Sequence, residues 1–240
     1  MTKQKLFWSD GRMKKAIDDF FSHIPKCPTT WRGSLKGKKN PRAKLFEIYI
    51  YILIAEYINM TPWSIKYVVC KNNEFYFRGR PTKLWHNDKY GYLELNDPNG
   101  NEYELHLGVE VLGNSGVDQE VDIGLYPKEE AQYARSKKLD ECNVKGKNAL
   151  LAIECKDYDS THIDKKLART YVGQAIDITK DFYYGNVKGR KSRILISKKL
   201  DDNKGSVRKM LDYYNFGLID DFKESSTHKK DELKKYIENI

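Results

Sequence analysis

Cysteine is scarce in this chain, and the four thiols, at positions 27, 70, 142 and 155, show no C-x-x-C spacing. That excludes a zinc ribbon, and the five scattered histidines give no sign of a histidine-built metal or nuclease centre. Thiols so placed are expected to stay reduced, which fits a cytoplasmic protein. The opening residues MTKQKLFWSDGRMKK contain no apolar core of the kind a signal peptide needs. The longest apolar stretch, LFEIYIYILIAEYI from Leu45, is too short to span a bilayer and carries Glu47 and Glu56, so no membrane partner is expected. Internal repeats and low-complexity tracts are absent.

Positive charge, in contrast, is abundant. Lysine and arginine number 43 against 34 aspartates and glutamates, a formal excess of nine. Such a balance favours an anionic partner, of which nucleic acid is the commonest. The basic residues gather in Arg32–Lys44, in Lys188–Arg193 and in Lys229–Lys235, the last interleaved with acidic residues and so partly neutralised. With 240 residues the chain can bury a substantial core as one domain.

Along the chain, residues 1–40 read as an amphipathic helix over Asp10–Ile24 followed by a basic linker. Asn40 and Pro41 then offer an N-cap and a first helical residue to the apolar helix, whose hydrophobic residues run all round and require cover on more than one side. Residues 64–113 hold aromatic and β-branched runs (SIKYVVC, EFYFRG, YGYLEL, YELHLGVEVLG) broken by turns such as Asp97-Pro98-Asn99-Gly100, the pattern of an antiparallel meander. Between Pro127 and Asn148 the chain turns polar and reads as a long loop. The single domain is expected to run over 41–222, with a C-terminal helix over 223–240.

Two strands carry the chemistry. In GVDQEVDIGLY, Val121, Ile123 and Leu125 alternate with Asp118, Glu120 and Asp122, which predicts one buried and one polar face. In LLAIECKDY, Glu154 and Lys156 fall on one side of a strand so apolar that it belongs in the centre of a sheet. An exposed edge-strand ion pair is the plain alternative for Glu154 and Lys156. Asp118 and Glu120 rival Asp122, which is favoured because Ile123 and Leu125 follow it. Two facing carboxylates repel one another unless a cation lies between them, and a hard divalent ion, Mg²⁺ or Mn²⁺, suits an all-oxygen pair. A nearby lysine can hold or activate water, which together with the metal suits phosphodiester hydrolysis.

Asp122 followed by Glu154-x-Lys156 on the next strong strand resembles the PD-(D/E)xK nucleases, the restriction-endonuclease-like superfamily, although Val121 stands where the literal motif has proline. The downstream order is similar to that superfamily's Mrr-like branch: a helix from about Asp164 to Tyr184, the strand RILIS from Arg193, a helix over Ser206–Tyr214 and the strand FGLIDDF. The resemblance covers about Leu105 to Phe222 and implies an α/β (α+β) fold with an αβββαβ core, its mixed central sheet flanked by helices and preceded by the meander. It implies a Mg²⁺-dependent endonuclease acting on DNA, plausibly in restriction or antiviral defence, with Asp122, Glu154 and the Cys155 backbone carbonyl as metal ligands and Lys156 catalytic. It further implies accessory roles for Glu47, which spacing alone does not separate from Glu56, and for Gln174 beside the lysine, for which a satisfied structural amide is an equal reading. RNA or branched-junction substrates, a non-catalytic nucleic-acid-binding module, a homodimer and an activating partner protein all stay open.

Lys188, Arg190, Lys191 and Arg193 are the expected nucleic-acid contacts. If they meet phosphates, neutralising them flattens the slope of log affinity against log salt in a binding titration. An unchanged slope assigns them to an idle solvated face.

Overall fold

Helix α1 (Pro41–Asn59) starts on a proline, whose fixed φ and missing N–H suit a first helical turn. Phe46, Ile48, Ile50, Ile52 and Ile54 are all fully buried, as its all-round hydrophobicity requires. The computed structural model describes residues 15, 41–68, 75–84, 90–137, 143–157, 163–178, 193–197, 200, 205–223, 225–238 and 240. Apart from Lys15, which is helical, the predicted helix over Asp10–Ile24 lies outside them. So do the basic linker up to residue 40 and the residues Lys188, Arg190 and Lys191.

The strands that follow are β1 (Ser64–Val68), β2 (Tyr92–Asn96), β3 (Glu102–Leu112), β4 (Asp118–Pro127), β5 (Val144–Lys145), β6 (Leu151–Lys156), β7 (Arg193–Ser197) and β8 (Gly217–Ile219). They form one open, mixed sheet in the order β1-β2-β3-β4-β6-β7-β8, with β5 paired to the far end of β3. The pairs from β1 through β6 are antiparallel; β6–β7 and β7–β8 are parallel. The predicted meander is therefore present as β1–β2–β3. Of its four runs, EFYFRG contributes no strand: Phe75 and Phe77 are buried instead as core plugs, with Phe77 edge-on to Tyr51 of α1 at 5.7 Å.

Four more helices are described: α2 (Lys128–Ser136), α3 (Lys165–Asp177), α4 (Ser206–Tyr213) and α5 (Thr227–Glu238). Neighbouring residues of the central strands separate the two faces of the sheet. Ile194 and Ile196 join a core with α1 and with Leu233 and Ile237 of α5, whereas Leu195 joins one with α3 and α4. The fold is α+β, with helices on both faces. No helix among the described residues is long and apolar enough to cross a membrane.

Two expectations need correction. The stretch after Pro127 is not a long loop, because α2 occupies its first part: Glu129 and Glu130 sit in its first turn, Arg135 in its last, and Ala131 and Ala134 pack against the sheet. Small alanines three apart give a helix only a narrow apolar stripe, easily read as polar loop. Helix α3 is also shorter than expected, ending at Asp177, and Gly185 lies outside the described residues.

What docks α2 is a buried polar cluster on β3. The Arg135 guanidinium donates to both carboxylate oxygens of Glu104, at 2.6 and 2.5 Å, and His106 Nε2 lies 2.8 Å from the same carboxylate. Tyr92 stacks on the His106 ring, with 4.8 Å between ring centres. Burial would raise the Glu104 pKa, but the hydrogen bonds from Arg135 and His106 outweigh it and hold Glu104 below its ordinary value. Burial likewise pulls His106 from 6.5 to about 4 in spite of Glu104, so the ring is neutral near pH 7 and donates through Nε2–H.

The unfolded state therefore binds a proton at His106 that the folded state refuses. Stability is fully present above about pH 6.5 and is lost as pH falls toward 4, by about 3 kcal/mol from this group in urea denaturation. His106→Gln is expected to flatten that part of the profile. A variant as steep as the wild type would place the acid sensitivity elsewhere.

Candidate active site

The antiparallel ladder between β4 and β6 runs Leu125↔Leu151, Gly124↔Ala152, Ile123↔Ile153 and then stops. One further step in that register would set Asp122 opposite Glu154. There the Asp122 side chain takes over from the backbone: its Oδ2 accepts the Cys155 N–H at 2.8 Å, satisfying a donor that the lapsed ladder would leave bare. Strand β6 continues on its other edge, pairing with β7 as far as Lys156↔Ser197. Asp122, only 3% exposed, thus sits where two central strands part.

Strand β3 is irregular at the same level. Its pairing with β4 passes from Leu107↔Ile123 to Val109↔Val121 without a Gly108–Asp122 pair. Gly108 has a φ of +65°, which favours glycine, and a Cβ there would stand 3.6 Å from Lys44 Nζ. Across this point the apolar residues change core: Leu107 and Ile123 pack with α1, whereas Val109 and Val121 pack with the α2 side. The uniform alternation expected for Val121, Ile123 and Leu125 is therefore interrupted, and Asp122 lies at the interruption.

Around Asp122 the structure gathers three more carboxylates and two lysines. Glu154 is ion-paired with Lys156, and Glu47, from α1, with Lys44 three residues earlier. Burial, and then the charge of Asp122, push the Glu154 carboxyl up to about 8 despite Lys156. The same two causes, in the same order, raise Glu47 to about 7 against the opposing pull of Lys44. Glu120 is raised as well, by burial and then by Asp122. Of the aspartate's rivals, Glu120 shares the cluster, whereas Asp118 is drawn away to Lys83 at 3.5 Å and to the Asn143 amide.

Glu47 faces this cluster and Glu56 is exposed, a distinction that spacing alone could not make. Gln174, on α3, lines a cleft with Glu120 and Glu154. The Cys155 thiol is buried in the core with α1, and burial pushes it well above its ordinary range, so it is no nucleophile. Arg193 needs correction: it is only 4% exposed, and its guanidinium donates to the carbonyls of Ile178 at 2.7 Å, Ala149 at 3.2 Å and Gly146 at 3.3 Å. It joins the end of α3 to the segment before β6 and does not reach out to a phosphate. Lys44 was read only as the end of the basic cluster Arg32–Lys44, not as a member of the site. Its signal was its place one turn before Glu47 in a mostly apolar helix.

The hairpin between β3 and β4 is tied to α3. Asp177 accepts hydrogen bonds from the Ser115 N–H at 2.7 Å, from Ser115 Oγ at 2.8 Å and from the Gln119 amide at 2.8 Å, while its own carbonyl accepts the Asn114 N–H at 2.7 Å. Gly113 leaves room for that carboxylate, since a Cβ there would lie 2.0 Å from Asp177 Oδ2. Glu120 follows Gln119 directly on this tied strand.

No group of three or more His, Cys, Asp or Glu side chains among the described residues is arranged to hold a metal ion as it stands. Lysines occupy two of the four carboxylates instead. Comparison with protein-family models finds no match, and comparison with curated proteins finds none.

Asp177→Ala should release the hairpin tip, raising hydrogen exchange at the Ser115 amide and costing roughly 1–3 kcal/mol in denaturation. Gly113→Ala, which expels the same carboxylate, should reproduce the effect. Protected tip amides in both variants would show that the clasp does not hold the hairpin.

Proposed function

We propose that this chain is a divalent-metal-dependent nuclease that hydrolyses phosphodiester bonds of DNA on a restriction-endonuclease-like core of the PD-(D/E)xK kind. The observation that carries the reading is the meeting of Asp122 and Glu154 at the end of the β4–β6 ladder, with Lys156 on the Glu154 carboxylate. The succession of α1, antiparallel β3–β4–β6, α3 and then β7 parallel to β6 fits the αβββαβ order and supports the reading further.

The donor set fits a hard divalent cation. Four carboxylates (Glu47, Glu120, Asp122, Glu154) stand against two ammonium groups (Lys44, Lys156), an imbalance of two negative charges when all are ionised. Burial, and then the Asp122 charge, raise the Glu47 and Glu154 carboxyls, and a bound cation would relieve that repulsion. Asp122, Glu154 and the Cys155 carbonyl would hold the ion. When bound, it polarises a phosphoryl oxygen and offsets charge on the leaving oxygen.

The remaining work belongs to side chains. Lys156, once its ammonium is no longer committed to Glu154, can hold an attacking water or a phosphate oxygen. Asp122 keeps its place through the Cys155 N–H and so fixes one side of the site before substrate arrives. Lys44 neutralises Glu47 and lowers the repulsion that an approaching phosphate would meet.

One observation favours a second reading, a non-catalytic nucleic-acid-binding module on the same scaffold: the two lysine–carboxylate pairs, without a preformed metal cage among the described residues. Incubating the protein with supercoiled plasmid, linear DNA and RNA in Mg²⁺, Mn²⁺ or chelator separates the two. Metal-dependent cleavage of DNA is expected, and Glu154→Gln or Lys156→Met should lower it by at least about 100-fold with nucleic-acid binding retained. Asp122→Asn should do the same and, by keeping an acceptor for the Cys155 N–H, should spare the fold better than alanine. Cleavage that resists chelator, or wild-type cleavage in Lys156→Met, would sink the nuclease. Binding without cleavage in every metal would establish the module.

A further inference from the structure

Lys44 and Lys156 each sit on a carboxylate of the acidic cluster, but they are held differently. The Lys156 side chain is 24% exposed at the end of β6, so it can swing toward solvent or substrate. The Lys44 side chain is only 8% exposed. It leaves the start of α1 and meets Glu47 three residues on, and the turn of the helix itself keeps the two on one side.

Lys44 Nζ also rests against the irregular point of β3, 3.6 Å from where a Cβ on Gly108 would stand. In the register of β3 with β4, Gly108 is the residue that would face Asp122. The ammonium thus reaches from α1 to the level of Asp122 in the sheet. Its charge favours the ionised forms of both Glu47 and Glu120.

An ammonium buried there cannot simply withdraw. Taken off Glu47, it would remain in the interior without its counter-charge, and breaking one side of a buried pair is costly. The charge count points the same way. Glu47, Glu120, Asp122 and Glu154 carry four negative charges when ionised, against two positive ones on Lys44 and Lys156. One divalent ion brings the sum to zero. A second would leave the cluster positive, with Glu47 already occupied.

We propose that the Lys44 ammonium, held on Glu47, takes the place of a second metal ion, so that the site binds a single divalent cation through Asp122 and Glu154. The inference rests on the nuclease reading and narrows it to one-metal chemistry. Two-metal sites hold their ions about 3.5–4 Å apart and serve the attacking and the leaving oxygen together. Here a fixed point charge on a lysine stem supplies the second positive charge. Lys44 is then a positioning residue: it keeps Glu47 out of the ligand set and leaves Asp122 and Glu154 as the carboxylates that face the ion.

Two measurements on the full chain test this. Wild-type crystals soaked in Mn²⁺ should show one anomalous peak beside Asp122 and Glu154, with the Lys44 ammonium still on Glu47. Calorimetric titration should find one Mn²⁺ per chain in the wild type and two in Lys44→Met, which keeps the length of the side chain and removes its charge. Two peaks in the wild type, or a Lys44 that has left Glu47, would overturn the inference and leave the nuclease standing. So would a folded Lys44→Met that still takes up one ion; should that variant not fold, the wild-type crystal decides alone. A wild-type protein that takes up no Mn²⁺ would overturn the nuclease reading and the inference with it.

Discussion

The hydrogen bond from the Cys155 N–H to Asp122 is the interaction on which the candidate site depends. A central sheet cannot simply stop pairing, because each backbone donor left behind in the interior costs about as much as a lost hydrogen bond. By substituting a side-chain carboxylate for a backbone carbonyl, the chain lets β4 and β6 separate without that penalty. The separation opens the interior of the sheet to polar groups from three directions: Glu47 and Lys44 from α1, Glu120 from β4, Glu154 and Lys156 from β6. The same bond holds a charge at the bottom of the opening, and that charge perturbs every other carboxylate around it.

Electrostatics on the two faces of the sheet follow opposite logic. On the α2 side, the Glu104 carboxylate is met by Arg135 at both oxygens and by His106 Nε2, and the set fastens a helix. Around Asp122 the carboxylates outnumber the lysines, and the ionisation of Glu154 and Glu47 is strained toward neutral pH. A satisfied network fastens structure. An unsatisfied one, tolerated by a scaffold secured elsewhere, is what a binding or reacting site requires.

Strand-like apolar runs made most of the sheet legible, because β3, β4, β6 and β7 all form where their sequences place them. What stayed hidden has physical reasons. Helix α2 rests on two alanines and a salt bridge to a distant strand, and neither leaves a periodic signature. The change of core at Gly108 and Asp122 is a property of two strands together, invisible in either alone. In the site, Asp122, Glu154 and Lys156 stood out by their order, but the contribution of Lys44 arises only when α1 is laid against the sheet. Arg193 looked like the end of a basic patch and is an internal brace, since a sequence shows charge without showing which way it points.

The strand order has a consequence for the growing chain. The hairpin β3–β4 and the parallel unit β6–α3–β7 are separate pieces of sequence, and each holds only part of the acidic cluster. Hairpins close early and parallel pairing waits for its crossover to be made. The cluster is therefore assembled only when β6 pairs with β4, and the hairpin alone carries some of its carboxylates without the rest. Whatever the cluster does, it does only once the sheet is complete across its middle.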